Sequence, residues 1–227
     1  MRTASCTSSI RREAFTTSPM RARSRNDIEQ LIESLARVEL SDRATNQYAR
    51  GDRGNAVRRT NLRLYLEHIG RPRMLLVGEA PSHRGGRLTG IPFTSEAIML
   101  RHFGPEFRKA TAGPNLSTEA SATMVWATIA CIEPRPVLWN AFPFHPFVRG
   151  NPFTNRAPTS EELLIGAPFL ERMMRLFPIE TVVAIGNLAS HSMTRLGIPH
   201  TKVRHPSQGG KKKFVDGMAR LSQLTGA

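Results

Sequence analysis

Apolar positions along the chain follow two periods in turn. Ile28, Leu31, Ile32, Leu35 and Val38 recur at helical spacing, with Asn26 or Asp27 available as a cap, and predict a first helix. Residues 41–59 are polar and contain Gly51 and Gly54, which reads as a loop before a second helix over Asn61–Ile69. These two helices are expected to cap a sheet. Short hydrophobic runs then read as strands at 74–77, 136–139, 181–185 and 201–204. Helical segments are expected around 94–103, 118–131, 160–177, 187–196 and 211–224. Thr159 with Glu162 forms a capping box that fixes the start of one of them, and Asn187 after Gly186 is expected to cap another. Strands alternating with helices predict an α/β fold, a three-layer α/β/α domain around a central, mainly parallel four-stranded sheet.

A chain of 227 residues suffices for one sizeable core and is short for two domains. Residues 1–25 hold six Arg and a single acid, Glu13, with few large apolar groups, and read as a disordered basic N-terminal arm. Residues 26–227 are expected to form one domain. The formal charge of +14 suits a protein that approaches a polyanion, because Lys and Arg release counterions when they neutralise phosphates. Two cysteines, Cys6 and Cys131, build neither a disulfide framework nor a four-thiolate metal site. No apolar run approaches a membrane span, and the N-terminus lacks the apolar segment of a secretory signal.

The polar residues that close the strands carry the chemistry. Gly78-Glu79-Ala80-Pro81-Ser82-His83 follows Met74–Val77, Asn140 ends the strand Leu138-Trp139, and His205-Pro206-Ser207 closes the last strand. In parallel sheets ligands lie beyond the carboxyl ends of the strands, so these three stretches are expected to face one site. Trp139 should point away from it, because neighbouring strand residues face opposite sides.

In their wording and order these motifs resemble the uracil-DNA glycosylase superfamily over roughly residues 70–225. The best-known branch of that superfamily opens with Gly-Gln-Asp-Pro-Tyr-His, the iron–sulphur branch with Gly-Glu-(Ala/Gly)-Pro-Gly, and both end in His-Pro-Ser. Phe93 stands fifteen positions after Gly78, the offset of the ring that stacks on an extruded base in the best-known branch. Too few cysteines separate this chain from the iron–sulphur branch. The resemblance implies a monofunctional DNA glycosylase that flips a deaminated base, most simply uracil, out of DNA and hydrolyses its N-glycosidic bond, with no cofactor and no metal. DNA is the implied partner and a monomer the implied state. The implied compartment is the bacterial cytoplasm, or the nucleus or mitochondrion of a eukaryote.

The resemblance also assigns roles. His205, if neutral, donates a ring N–H to uracil O2, where negative charge collects as the bond breaks. Asn140 presents a donor and an acceptor that match O4 and N3–H of uracil; the alternative is an amide that ties down a loop. Phe93 stacks on the base, or fills the core. Gly78, Ala80 and Pro81 shape the base pocket. Ala80 stands where the best-known branch places its water-orienting Asp, so Glu79 is the nearest carboxylate for that task, or else pairs with Arg84 or Arg87. His83 and His145 are further polar candidates. Ser82 replaces a Tyr that excludes the thymine methyl, which predicts access for 5-substituted uracils or deaminated purines. Ser207, Gln208, Gly209, Gly210, Lys211 and Lys212 form a loop and helix start expected to touch DNA, with Gln208 in the gap left by the base. Phe142, Phe144, Phe147 and Phe153 line a pocket or cover the sheet edge. Two other readings remain open from sequence: a module of the same fold that binds DNA or a nucleobase without turnover, and a hydrolase of small nucleotide-like compounds.

Overall fold

The computed structural model describes residues 22–225. Residues 1–21 of the expected basic arm, with Cys6, lie outside the described residues. The elements run α1 (Ala22–Ala36), β1 (Ala44–Thr45), α2 (Arg53–His68), β2 (Met74–Gly78), α3 (Gly86–Thr89), α4 (Glu96–His102), α5 (Ala120–Ile129), β3 (Val137–Asn140), β4 (His145–Pro146), α6 (Ser160–Leu176), β5 (Thr181–Ile185), α7 (Asn187–Arg195), β6 (Thr201–Val203) and α8 (Lys211–Thr225).

Four strands form one parallel sheet in the order β3-β2-β5-β6, flanked by helices. Leu75, Leu76 and Val77 of β2 and Val137, Leu138 and Trp139 of β3 are all fully buried. That is the double-sided burial a covered parallel sheet demands, and it explains why these strands are continuous hydrophobic runs rather than alternating ones. Helix α1 packs on α2 and α6. Tyr65 of α2 reaches the edge strand β3, where its hydroxyl accepts a hydrogen bond from Leu138 N–H at 2.8 Å, so of the two helices expected to cap the sheet α2 meets it directly and α1 packs behind, on α2 and α6.

Most boundaries shift by one or two residues, and three helix starts depart in a way that has a physical reason. Helix α1 begins at Ala22, so neither Asn26 nor Asp27 caps it. Helix α2 starts at Arg53 inside the expected loop, capped by Asp52, whose side chain accepts from Asn55 N–H at 2.7 Å. Its first two turns are too polar for apolar periodicity to register; they are held instead by Arg58 and Arg59, which donate to the carbonyls of Leu88 and Tyr48. Helix α7 is capped by Gly186 at φ 93°, with Asn187 the first helical residue. The capping box on α6 is present as expected, with both Thr159–Glu162 bonds formed. A two-stranded antiparallel pair, β1 with β4, went unpredicted because each strand is two residues long. Cys131 is exposed just past the end of α5.

Candidate active site

Register brings the motifs together. β2 and β3 are paired so that Gly78 lies opposite Asn140, both at the carboxyl ends of their strands. One strand further on, Gly186 leaves β5 and donates its N–H to Val203 of β6 at 2.8 Å, which sets His205 at the same end of the sheet. A single cavity of about 560 Å³ opens there. Its lining includes Phe93, Asn140 and His205 together with Gly78, Glu79, Ala80 and Pro81.

Gly78 controls how closely these groups approach. A methyl on its Cα would overlap the Phe93 ring and come within 2.7 Å of Asn140 Oδ1, so only glycine lets ring and amide meet over the strand. Phe93 is held in the left-handed region at φ 51°, a strained conformation for an aromatic residue, and its carbonyl accepts from Trp126 Nε1 at 2.9 Å. Phe93 is half-buried, packed against the core on one side and lining the cavity on the other.

Asn140 is only 2% exposed, and its Nδ2 is buried with no hydrogen-bond partner in the protein. Such orphaned donors are rare in folded proteins. An amide that merely tied down a loop would have its partner there.

His205 sits between Gly186 and the loop that precedes α8. Its Nδ1 lies 2.7 Å from Ser207 Oγ and 3.2 Å from the Ser207 backbone N–H. A backbone N–H only donates, so Nδ1 accepts, and the neutral ring carries its proton on Nε2. Burial, with help from the Arg204 charge, holds the imidazole below its usual pKa and so favours that neutral form.

Glu79 forms no ion pair with Arg84 or Arg87 among the described residues, and burial pushes its carboxyl up to about 7. The Arg87 guanidinium lies instead over the Phe153 ring, 5.7 Å from its centre. His83 and His145 stay outside the cavity lining and hold its walls. The His83 backbone N–H donates to Asn155 Oδ1 at 2.9 Å, and His145 Nδ1 lies 2.8 Å from the Pro81 carbonyl. Phe142 and Phe144 are core residues and Phe147 is buried, whereas Phe153 is 71% exposed; none lines the cavity. Trp139 is buried away from it, as expected.

From the last motif, Ser207 and Gln208 reach the cavity, while Gly209, Gly210, Lys211 and Lys212 lie beyond its lining. Gln208 has φ 50° and Gly209 φ 72°, a sharp turn directly before α8. Lys212 Nζ pairs with Asp216 on its own helix at 2.8 Å, both groups largely in solvent. Glu119, Asn155 and Arg204 also line the site and were not singled out from sequence. Glu119 looks like an ordinary acid before a helix, and no spacing ties it to a motif more than thirty residues upstream.

Comparison with known proteins decides the family. The family model for the uracil DNA glycosylase superfamily matches residues 67–220. The chain belongs to the uracil-DNA glycosylase superfamily. Among solved structures, the crystal structure of wild-type Pedobacter heparinus SMUG2 resembles it with a TM-score of 0.64 at 14% sequence identity, covering 88% of this chain and 99% of that one. At that identity the likeness speaks for a shared fold. No curated protein matches the chain significantly. The superfamily match covers the sheet from β2 to β6 and thus every strand-end motif around the cavity. Among the described residues no cluster of His, Cys, Asp or Glu is arranged to hold a metal ion, and no helix is long and apolar enough to cross a membrane.

Proposed function

We propose that this superfamily member is a DNA glycosylase that takes a deaminated base, uracil foremost, into the cavity and hydrolyses its N-glycosidic bond, leaving an abasic site. The observation that carries the reading is the buried, unpartnered Nδ2 of Asn140 in a cavity shared with Phe93 and His205. A flipped uracil satisfies it. Its O4 accepts from Nδ2 and its N3–H donates to Oδ1, while cytosine would set its own amino group against the amide NH₂.

The bond between C1′ and N1 breaks with its electron pair moving onto the base. Charge then builds on O2, where the Nε2–H of a neutral His205 donates. A preorganised donor in a closed site is worth roughly 3 kcal/mol. Water adds to C1′, and its proton passes to Glu79, a carboxylate that lines the cavity next to Ala80, which offers only a methyl group. The loop 207–210, the lysines of α8 and the net charge of +14 support capture of the phosphate backbone.

Duplex and single-stranded oligonucleotides with one labelled uracil, hypoxanthine, xanthine or thymine mismatch, treated with alkali after incubation, test the reading. Strand scission at uracil supports it; no scission at any lesion refutes it. A second reading, a module that binds the base without turnover, draws on Ala80 and on the burial that leaves much of Glu79 neutral near pH 7. It predicts lesion binding with no alkali-sensitive site.

A further inference from the structure

Outside the cavity, beside its mouth, stand a cation and a ring that base reading leaves unused. Arg87, in α3, is half-buried, and among the described residues its guanidinium makes no hydrogen bond and no ion pair. It lies over the Phe153 ring, 5.7 Å from the centre. Burial, and then the charge of Arg58, lower the pKa of Arg87. Arg58 has its own partners in the Leu88 carbonyl, Asn55 and Asp52. A half-buried guanidinium that feels a like charge and meets no carboxylate costs free energy until an anion reaches it.

Phe153 is 71% exposed. A lone exposed phenyl is ordinary protein surface, but the turn that carries this one is fixed. Thr154 Oγ1 accepts from Val148 N–H at 2.9 Å and donates to the Asn151 carbonyl at 2.7 Å. The Phe153 N–H donates to Asn151 Oδ1 at 3.1 Å. The turn is also tied to the first strand-end motif, through His83 N–H on Asn155 Oδ1 and through the buried His145 ring, which lies between the Pro81 and Pro152 carbonyls. A ring held this way loses little freedom when something stacks on it.

Position ties the pair to the cavity. Arg87 directly follows Gly86, and Phe153 stands two residues before Asn155; Gly86 and Asn155 both line the cavity, whereas Arg87 and Phe153 do not. The base inside the cavity is thus out of their reach, and the neighbouring nucleotide of the same strand is what passes them. An open aromatic face takes a base and a guanidinium takes a phosphate, a combination suited to unpaired nucleic acid.

Resting on the reading that a base of DNA enters the cavity, we propose that Arg87 and Phe153 form a second nucleotide site at its mouth: the unpaired base next to the extruded one stacks on the open face of Phe153, and its phosphate meets the Arg87 guanidinium. The site accepts any of the four bases, because stacking reads no edge.

Single strands with one 2′-fluoro-2′-deoxyuridine, which resists cleavage, test this by fluorescence anisotropy. In one strand the 5′ neighbour of the lesion is a tetrahydrofuran spacer without a base, in a second the 3′ neighbour is, and a third has both bases. The wild-type protein is expected to bind one spacer strand about fivefold or more weakly than the full strand; the strand that responds gives the side. Phe153→Ala is expected to lose the same factor on the full strand and to become indifferent to the spacer, while Phe153→Trp keeps the dependence. Arg87→Gln is expected to reduce the slope of log affinity against log salt by about 0.7, the share of one phosphate in a single strand. Indifference of the wild-type protein to both spacers overturns the proposal. So does a spacer dependence that survives Phe153→Ala, or an unchanged salt slope in Arg87→Gln. A failure to cleave ordinary uracil strands would sink the glycosylase reading by itself, and these binding comparisons would still decide on the second site.

Discussion

Replacing Asn140 by Leu separates a base-reading amide from a structural one. In the free protein Nδ2 is buried without a partner, and an unmet buried donor costs about 1–3 kcal/mol. Leu has nearly the same size and no polar atom, so Asn140→Leu removes that cost. In a protein of this length 1 kcal/mol moves the melting temperature by roughly 2–4 °C, so thermal unfolding followed by circular dichroism is expected to show a rise of that order. Cleavage moves the other way. Two hydrogen bonds to the base disappear and its N3–H and O4 enter the site unpaired, a loss of about 2–4 kcal/mol. That corresponds to roughly 30- to 1000-fold in kcat/KM for uracil. Stability up and activity down is the signature of a group kept for its ligand. A lower melting temperature together with retained cleavage would show that Asn140 holds the fold, and would refute the reasoning.

His205→Ala is expected to lower uracil cleavage at least about a hundredfold while salt-sensitive DNA binding, read by fluorescence anisotropy, stays nearly intact; unchanged cleavage would remove the imidazole from its role. Gly78→Ala drives a methyl into the Phe93 ring and the Asn140 amide. It should cost about 1–3 kcal/mol in stability and most of the activity, read by melting and by the oligonucleotide assay. If ionised Glu79 holds the water, activity rises as pH climbs through about 7. His205, lowered from its usual value, is already neutral there and contributes no further limb. Glu79→Gln should be slow and should lose the rise near pH 7, and a profile identical to wild type would exclude the carboxylate. The same burial has a stability consequence of defined sign. The folded state holds its proton from the ordinary value of 4.5 up to about 7, so wild-type stability should fall with rising pH across that window, and Glu79→Gln should flatten the fall in denaturant titrations.

The sheet was legible because its strands are buried on both faces and therefore stand out as unbroken runs such as Met74–Val77. The strand-end rule then located Gly78, Asn140 and His205 at one end before any geometry was known. What the chain hid was of two kinds. Polar turns such as Arg53–Thr60 fold as helix because Asp52 caps them and arginines reach loop carbonyls, and neither device leaves an apolar period. Glu119 and Asn155 join the cavity through tertiary packing of a helix entrance and a long loop, which no spacing along the chain encodes. The orphaned amide of Asn140 and the left-handed backbone of Phe93 are likewise visible only in three dimensions.

The most direct measurement is a crystal structure of the protein with a duplex carrying 2′-fluoro-2′-deoxyuridine, whose glycosidic bond resists hydrolysis. The extruded ring should lie on Phe93, with O4 and N3 within hydrogen-bond reach of the Asn140 amide and O2 within reach of His205 Nε2. A uracil still stacked in the duplex, or held at another part of the surface with the cavity unchanged, would contradict the account.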